Sequence, residues 1–404
     1  MRWLRVSILS LPLSTAAVAQ AVPTDPVLRW NEVALEVVAE DHSGTFGAPE
    51  QGSPTRAARA LAIVHAAIHD AVSAIDGSYE PYHMQMKAPP HTSIDAAVAR
   101  AGHDTLVALY PAQHEVFAVA LAQDLASVPD ARERRAGERV GAHAAHHLLH
   151  SRRADGSQAE VVYTPGDLPG QHRVDPLHPA QGFLTPGWGA VTPFVLPSGD
   201  ALRSPPPPAL GSAAYAAAFL EVKDFGVATE SMRTPDQTEI GIYWAYDGTR
   251  GLGPPPRLYN QIVRGIAEQM DNDVVENARL FALVNLAMAD AGIACWETKY
   301  VYNFWRPVLG VREADPDTGP SGLGDGNPFT SGDTDWTPLG APASNQSGTD
   351  FTPPFPAYPS GHATFGAALF RMLERFYGTD DVAFSFVSDE LNGVTTDSAG
   401  GVRA

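Results

Sequence analysis

Apolar residues recurring every three or four positions constrain this chain more than any other feature. From Pro54 to Ile75, residues Ala60, Leu61, Val64, Ile68, Val72 and Ile75 fall along one helical stripe. The same spacing predicts helices over 93–109, 112–127, 130–150, 212–225, 235–246 and 257–269, and a last one over 360–377. The longest runs from Asp273 to Trp305. No stretch sustains the alternation of a half-buried strand, so the fold class is all-α. The 35 prolines and 36 glycines gather between these segments. They predict long irregular loops over 155–210, where Pro205–Pro208 is a run of four, and over 312–358. The first loop is expected to cross between an N-terminal helical half, 22–154, and a C-terminal half, 211–404.

The formal net charge of −19 disfavours nucleic acid and anionic membrane as partners. Any anion site must be a local exception to that field. Arg2 and Arg5 precede an apolar run from Val6 to about Val18 and small-residue cleavage sites near Ala19 and Ala21. Residues 1–21 therefore predict a signal peptide and an exported, periplasmic or extracellular protein. No later run of about 18 consecutive apolar residues predicts a membrane span. Cys295 is the single cysteine, so no intrachain disulfide can form.

Some patterns suggest metals without completing a site. His143, His146, His147 and His150 share a helix flank, and His65 and His69 form a second pair. Neither has the His-Glu-x-x-His arrangement; the first group lacks the further ligand a zinc site needs, and core or interface histidines are the expected reading of His65 and His69. Asp315-Pro-Asp317-Thr-Gly319 and Asp325-Gly-Asn327 resemble pieces of calcium loops but lack the twelve-residue spacing and terminal glutamate.

Two other segments carry chemistry. In Trp296-Glu-Thr-Lys299-Tyr-Val-Tyr-Asn-Phe-Trp-Arg306-Pro307, seven residues advance a helix by about 700°, which would place Lys299 and Arg306 on one face, roughly 10 Å apart. Pro307 predicts that the helix ends at Arg306. An ammonium and a guanidinium suit a tetrahedral oxyanion. In Phe355-Pro-Ala-Tyr-Pro359-Ser360-Gly361-His362, Ser360 is a good N-cap, and the free N–H groups of a helix start bind anions. Gly361 permits close approach, and His362 is suited to proton transfer.

Lys-x6-Arg-Pro followed by Pro-Ser-Gly-His resembles the first two signature motifs of the superfamily that unites vanadium haloperoxidases with type 2 phosphatidic acid phosphatases. The resemblance is densest from Phe304 to about Phe370 and is nearest the chloroperoxidases. It implies an all-α fold of two helical bundles. It implies vanadate as cofactor, held by Lys299, Arg306, Ser360 and the Gly361 amide, with His362 as catalytic acid/base. Phosphate would compete as an anion of similar shape. Trp296 and Phe355 would line the halide pocket, and hydrogen peroxide, halide and a small organic acceptor would be the reactants.

The family's third motif, Ser-Arg-x3-Gly-x-His, would supply a second arginine and the histidine that ligates vanadium directly. No segment of residues 1–404 matches it; Arg134, Arg135, Arg139 and His143 have the wrong spacing. The chain is therefore expected to be a C-terminally truncated copy with impaired activity, its direct metal ligand lying beyond Ala404. A soluble acid phosphatase of the same superfamily and a non-catalytic oxyanion-binding remnant are the alternatives.

Overall fold

The computed structural model describes residues 25–245, 251–340, 352–393 and Val402. Among these, eleven α-helices and two short 3-10 turns occur, and only isolated bridges link extended segments. The helices are α1 Pro26–Asp41, α2 Pro54–Asp76, α3 Ile94–Leu109, α4 His114–Ser127, α5 Ala131–Arg152, α6 Ala213–Gly226, α7 Pro235–Ala245, α8 Pro255–Gln269, α9 Val274–Tyr302, α10 Pro307–Arg312 and α11 Gly361–Tyr377. The signal-peptide expectation for 1–21 lies outside the described residues.

Local chemistry sets most of these boundaries. Ser53 accepts from Arg56 N ahead of Pro54, and Asp273 forms a capping box with Glu276. Gly77 and Gly378 close α2 and α11 in the left-handed conformation.

The periodicity predicts nine of the eleven helices. Helix α1 was not expected from it, although α1 buries Trp30, Val33, Val37 and Val38 against its neighbours. Helix α10 falls in a stretch read as the helix end and loop.

Helix α9 is apolar nearly all round, as a helix packed on every side must be. It lies against α2 and α11, while α3 packs on α5 and α2. Helices α2 and α9 are long and apolar enough to cross a membrane by composition alone. Their apolar windows are 89% and 78% buried inside the protein, so packing accounts for that composition.

The main core joins helices from both sides of the long irregular stretch, including Trp30, Leu61, Phe117, Phe281, Trp296 and Phe365. A buried polar ladder ties four of them together. Asn31 of α1 meets His65 of α2 at 2.9 Å and donates to Asn260 of α8, which exchanges hydrogen bonds with Asn285 of α9. A smaller core of Tyr215, Phe219, Trp305, Leu309 and Trp336 holds α6 and α10 together.

The irregular stretch after α5 is stitched down by buried charge. The Asp290 carboxylate of α9 accepts the backbone N–H groups of Phe194, Val195 and Leu196 at 2.6–2.8 Å. Asp155 takes both Arg59 and Arg152. Carboxylates of the acidic segments 315–319 and 325–327 accept from the surrounding loop: Asp325 from Asn327 N and Thr330 Oγ1, and Asp315 from Gly332 N. They are turn-forming carboxylates.

Candidate active site

The long helix stops earlier than the sequence suggests. Helix α9 ends at Tyr302, with Asn303 left-handed at φ 52°, and Arg306 is extended as the N-cap of α10. Lys299 and Arg306 therefore do not share a face of one continuous helix. Two causes act together. Asn tolerates the left-handed region better than other non-glycine residues, and Pro307 excludes helical backbone at Arg306.

The turn is clamped from outside. Tyr163 Oη shares its one hydrogen between Asn303 Oδ1 and the His172 carbonyl. His172 N donates to Asn303 O at 2.9 Å, and Trp305 N to Gly170 O at 2.8 Å. On the other side Ala357 N donates to Phe304 O. Turn 303–306 is thus pinned between the 163–173 strap and the loop that leads into α11.

That loop ends on Ser360, whose Oγ accepts from Ala363 N and caps α11. The start of α11, at Ser360, Gly361 and His362, lies on the cleft wall, where the positive end of the helix dipole favours an anion. Trp296, Lys299, Arg306, Phe355, Ser360, Gly361 and His362 all line one cleft of about 460 Å³. All seven residues singled out from the sequence meet here, and no carboxylate lines the cleft among the described residues.

Each cation also has work inside the protein. Lys299 is 1% exposed, and its ammonium donates to the carbonyls of Pro356, Ala357 and Pro359. Arg306 Nε donates to Phe355 O at 2.6 Å. Lys299 Nζ and the Arg306 guanidinium sit 5.1 and 4.6 Å from the centre of the Phe355 ring, and Phe355 packs on Trp296 at 4.8 Å. Lys299 thus braces the loop that carries Ser360 and also brings positive charge to the cleft wall.

Further participants carry no sequence signal. Trp244 of α7 meets the His362 ring edge-on at 5.7 Å, and Tyr259 Oη donates to the His362 carbonyl. Buried His172 lies behind the cations; burial first, then Arg306, Lys299 and Arg173, hold its pKa down to about 3, so it is neutral. Burial also raises the Cys295 thiol, which makes it a poor nucleophile.

The lining fits a tetrahedral oxyanion: two cations, a hydroxyl, a helix N-terminus and an imidazole, with no carboxylate among the described lining residues. Residues 19–181 match the vanadium chloroperoxidase N-terminal domain, and 279–398 match the second helical-bundle domain of the same group. Over 97% of its length the chain is 33% identical to the vanadium chloroperoxidase of Curvularia inaequalis, covering 74% of that protein.

This chain is a vanadium haloperoxidase family member.

The haloperoxidase fold is shared with two solved bacterial proteins. A vanadium-dependent iodoperoxidase superposes with TM-score 0.70 at 21% identity, over 87% of this chain and 81% of that one. A holo-type vanadium-dependent chloroperoxidase gives 0.63 at 16% identity, over 92% and 86%. Membership makes the protein a haloperoxidase-class enzyme and implies vanadate as the cofactor of its family.

Proposed function

We propose that the cleft holds vanadate and that the protein oxidises halide with hydrogen peroxide to hypohalous acid, which halogenates a small organic acceptor. The observation that carries this reading is the convergence of Lys299, Arg306, Ser360, Gly361 and His362 on one cleft. Bound vanadate supplies Lewis-acid activation of peroxide. Arg306, Ser360 Oγ and the Gly361 amide donate hydrogen bonds to the anion's oxygens, and buried Lys299 adds a charge that little solvent screens. His362 at the start of α11 delivers and removes a proton at the cleft wall. Trp296 and Phe355 give the halide an apolar, partly dehydrated place beside the cations.

Export through residues 1–21 belongs to the same proposal and is checked by sequencing the N-terminus of the mature protein.

The deciding experiment compares monochlorodimedone halogenation, with peroxide and chloride, bromide or iodide, against p-nitrophenyl phosphate hydrolysis, each with and without vanadate. Vanadate-dependent halogenation is the expected result. Hydrolysis without any halide oxidation would make the protein an acid phosphatase instead. Saturable vanadate binding with neither activity would leave it an oxyanion-binding protein.

A further inference from the structure

A second cluster of chemistry lies on α5, which contributes no residue to the oxyanion cleft. Its His143 and His147 rings are stacked at 4.4 Å. The sequence shows these as neighbours on one helix face; the fold adds a residue that it could not. His83, some sixty positions earlier, brings its ring to 6.4 Å from that of His147. All three side chains are exposed and open to solvent.

The backbone that presents His83 is held firmly. The buried Asp70 carboxylate of α2 accepts the N–H groups of Tyr82, His83 and Met84, and α2 packs on α5. Two separate elements therefore offer imidazoles to the same patch of surface.

From these positions we infer that His83, His143 and His147 form a binding site for a divalent transition cation of the zinc or nickel type, with water completing the shell. Two imidazoles one helical turn apart can chelate one ion, and imidazole is a preferred ligand of zinc and nickel. Zn–N bonds of about 2.0–2.1 Å in tetrahedral geometry put two ligating ring centres about 5 Å apart. The spacings of 4.4 and 6.4 Å bracket that value, so the ion would draw the exposed side chains together by rotation. No three donors already surround one point among the described residues, and rotation is what the cation must induce.

His150 pairs with Arg153 Nη1 at 3.1 Å and stands outside the triad, with His146 6.0 Å from it on the same flank. A bound cation would tie the His83 loop to α5.

The test is calorimetric titration of the untagged 404-residue protein with zinc chloride, repeated with nickel chloride, in a buffer that binds neither. One equivalent with micromolar affinity is expected. His147→Ala and His143→Ala each weaken it at least tenfold, and His83→Ala weakens it severalfold. The circular dichroism of all three stays that of the parent, because the side chains are exposed. Zinc raises the melting temperature of the parent and leaves that of His147→Ala unchanged. Absence of saturable binding below about 1 mM, or parental affinity in His147→Ala, would overturn the site. Parental affinity in His83→Ala would overturn the three-residue arrangement.

Discussion

Lys299 and Arg306 converge on a single ring: the ammonium and guanidinium lie 5.1 and 4.6 Å from the centre of Phe355, although a left-handed turn at Asn303 separates their helices. The turn does what a continuous helix could not. It lets Arg306 hold the Phe355 carbonyl through Nε while its guanidinium borders the cleft that Lys299 borders from α9.

Arg306→Lys keeps the charge but loses the planar donor fork and the bond to Phe355 O. Vanadate and phosphate affinity, read by titration calorimetry, should fall at least tenfold, about 1.4 kcal/mol, with little change in melting temperature. Unchanged affinity for both anions would remove Arg306 from the anion site.

Lys299→Met retains length and removes the charge. It strips the donor from three loop carbonyls at once. A loss of about 3 kcal/mol in denaturant unfolding is expected, together with faster amide exchange over residues 360–363. Stability loss without faster exchange there would contradict the bracing role.

Gly141→Ala tests the close approach of α5 to α3. A β-carbon there would overlap the Ala97 carbonyl oxygen and lie 2.9 Å from Ala101 N, both backbone atoms that cannot swing away. A destabilisation of about 1–3 kcal/mol follows, measured as a shift in urea midpoint. A neutral substitution would mean that α3 and α5 are not packed so closely.

Acid stability should depend on two buried histidines. Burial lowers His65 from 6.5 to about 3, and His172 falls to about 3 through burial and its cationic neighbours. Between pH 6.5 and 3 the unfolded chain therefore holds more protons than the folded one. Their contribution to stability is complete above 6.5 and falls as pH drops, by up to about 1.4 kcal/mol per pH unit for each group. His65→Gln should flatten the pH dependence of unfolding free energy in that window. An unchanged slope would show that His65 is protonated in the native state.

Much of the fold was open to reading, because three-to-four spacing reports directly which helix faces are buried. Helices α2, α5 and α11 begin where Ser53, Asp130 and Ser360 cap them, since a capping side chain acts within three residues of itself. The exception at Tyr302 shows the limit. Phe304 and Trp305 continue the aromatic pattern of the helix before them, and the local signals at Asn303 and Pro307 act together with distant partners, Tyr163, Gly170 and His172, to fix where the turn interrupts it. Helix α1 was missed for a related reason: its burial depends on α3 and α8, which local spacing does not name.

By itself the sequence determined which groups could meet an oxyanion, since the residue types and short-range spacing of Lys-x6-Arg-Pro and Pro-Ser-Gly-His fix donor chemistry and a helix start. The tertiary structure decided how they meet: Lys299 bound to loop carbonyls, Arg306 set outside the helix, Trp244 against His362 and His83 beside His147. Those relations come from residues far apart in the chain. Short-range propensity carries no information about which distant backbone will satisfy a buried charge or pin a turn.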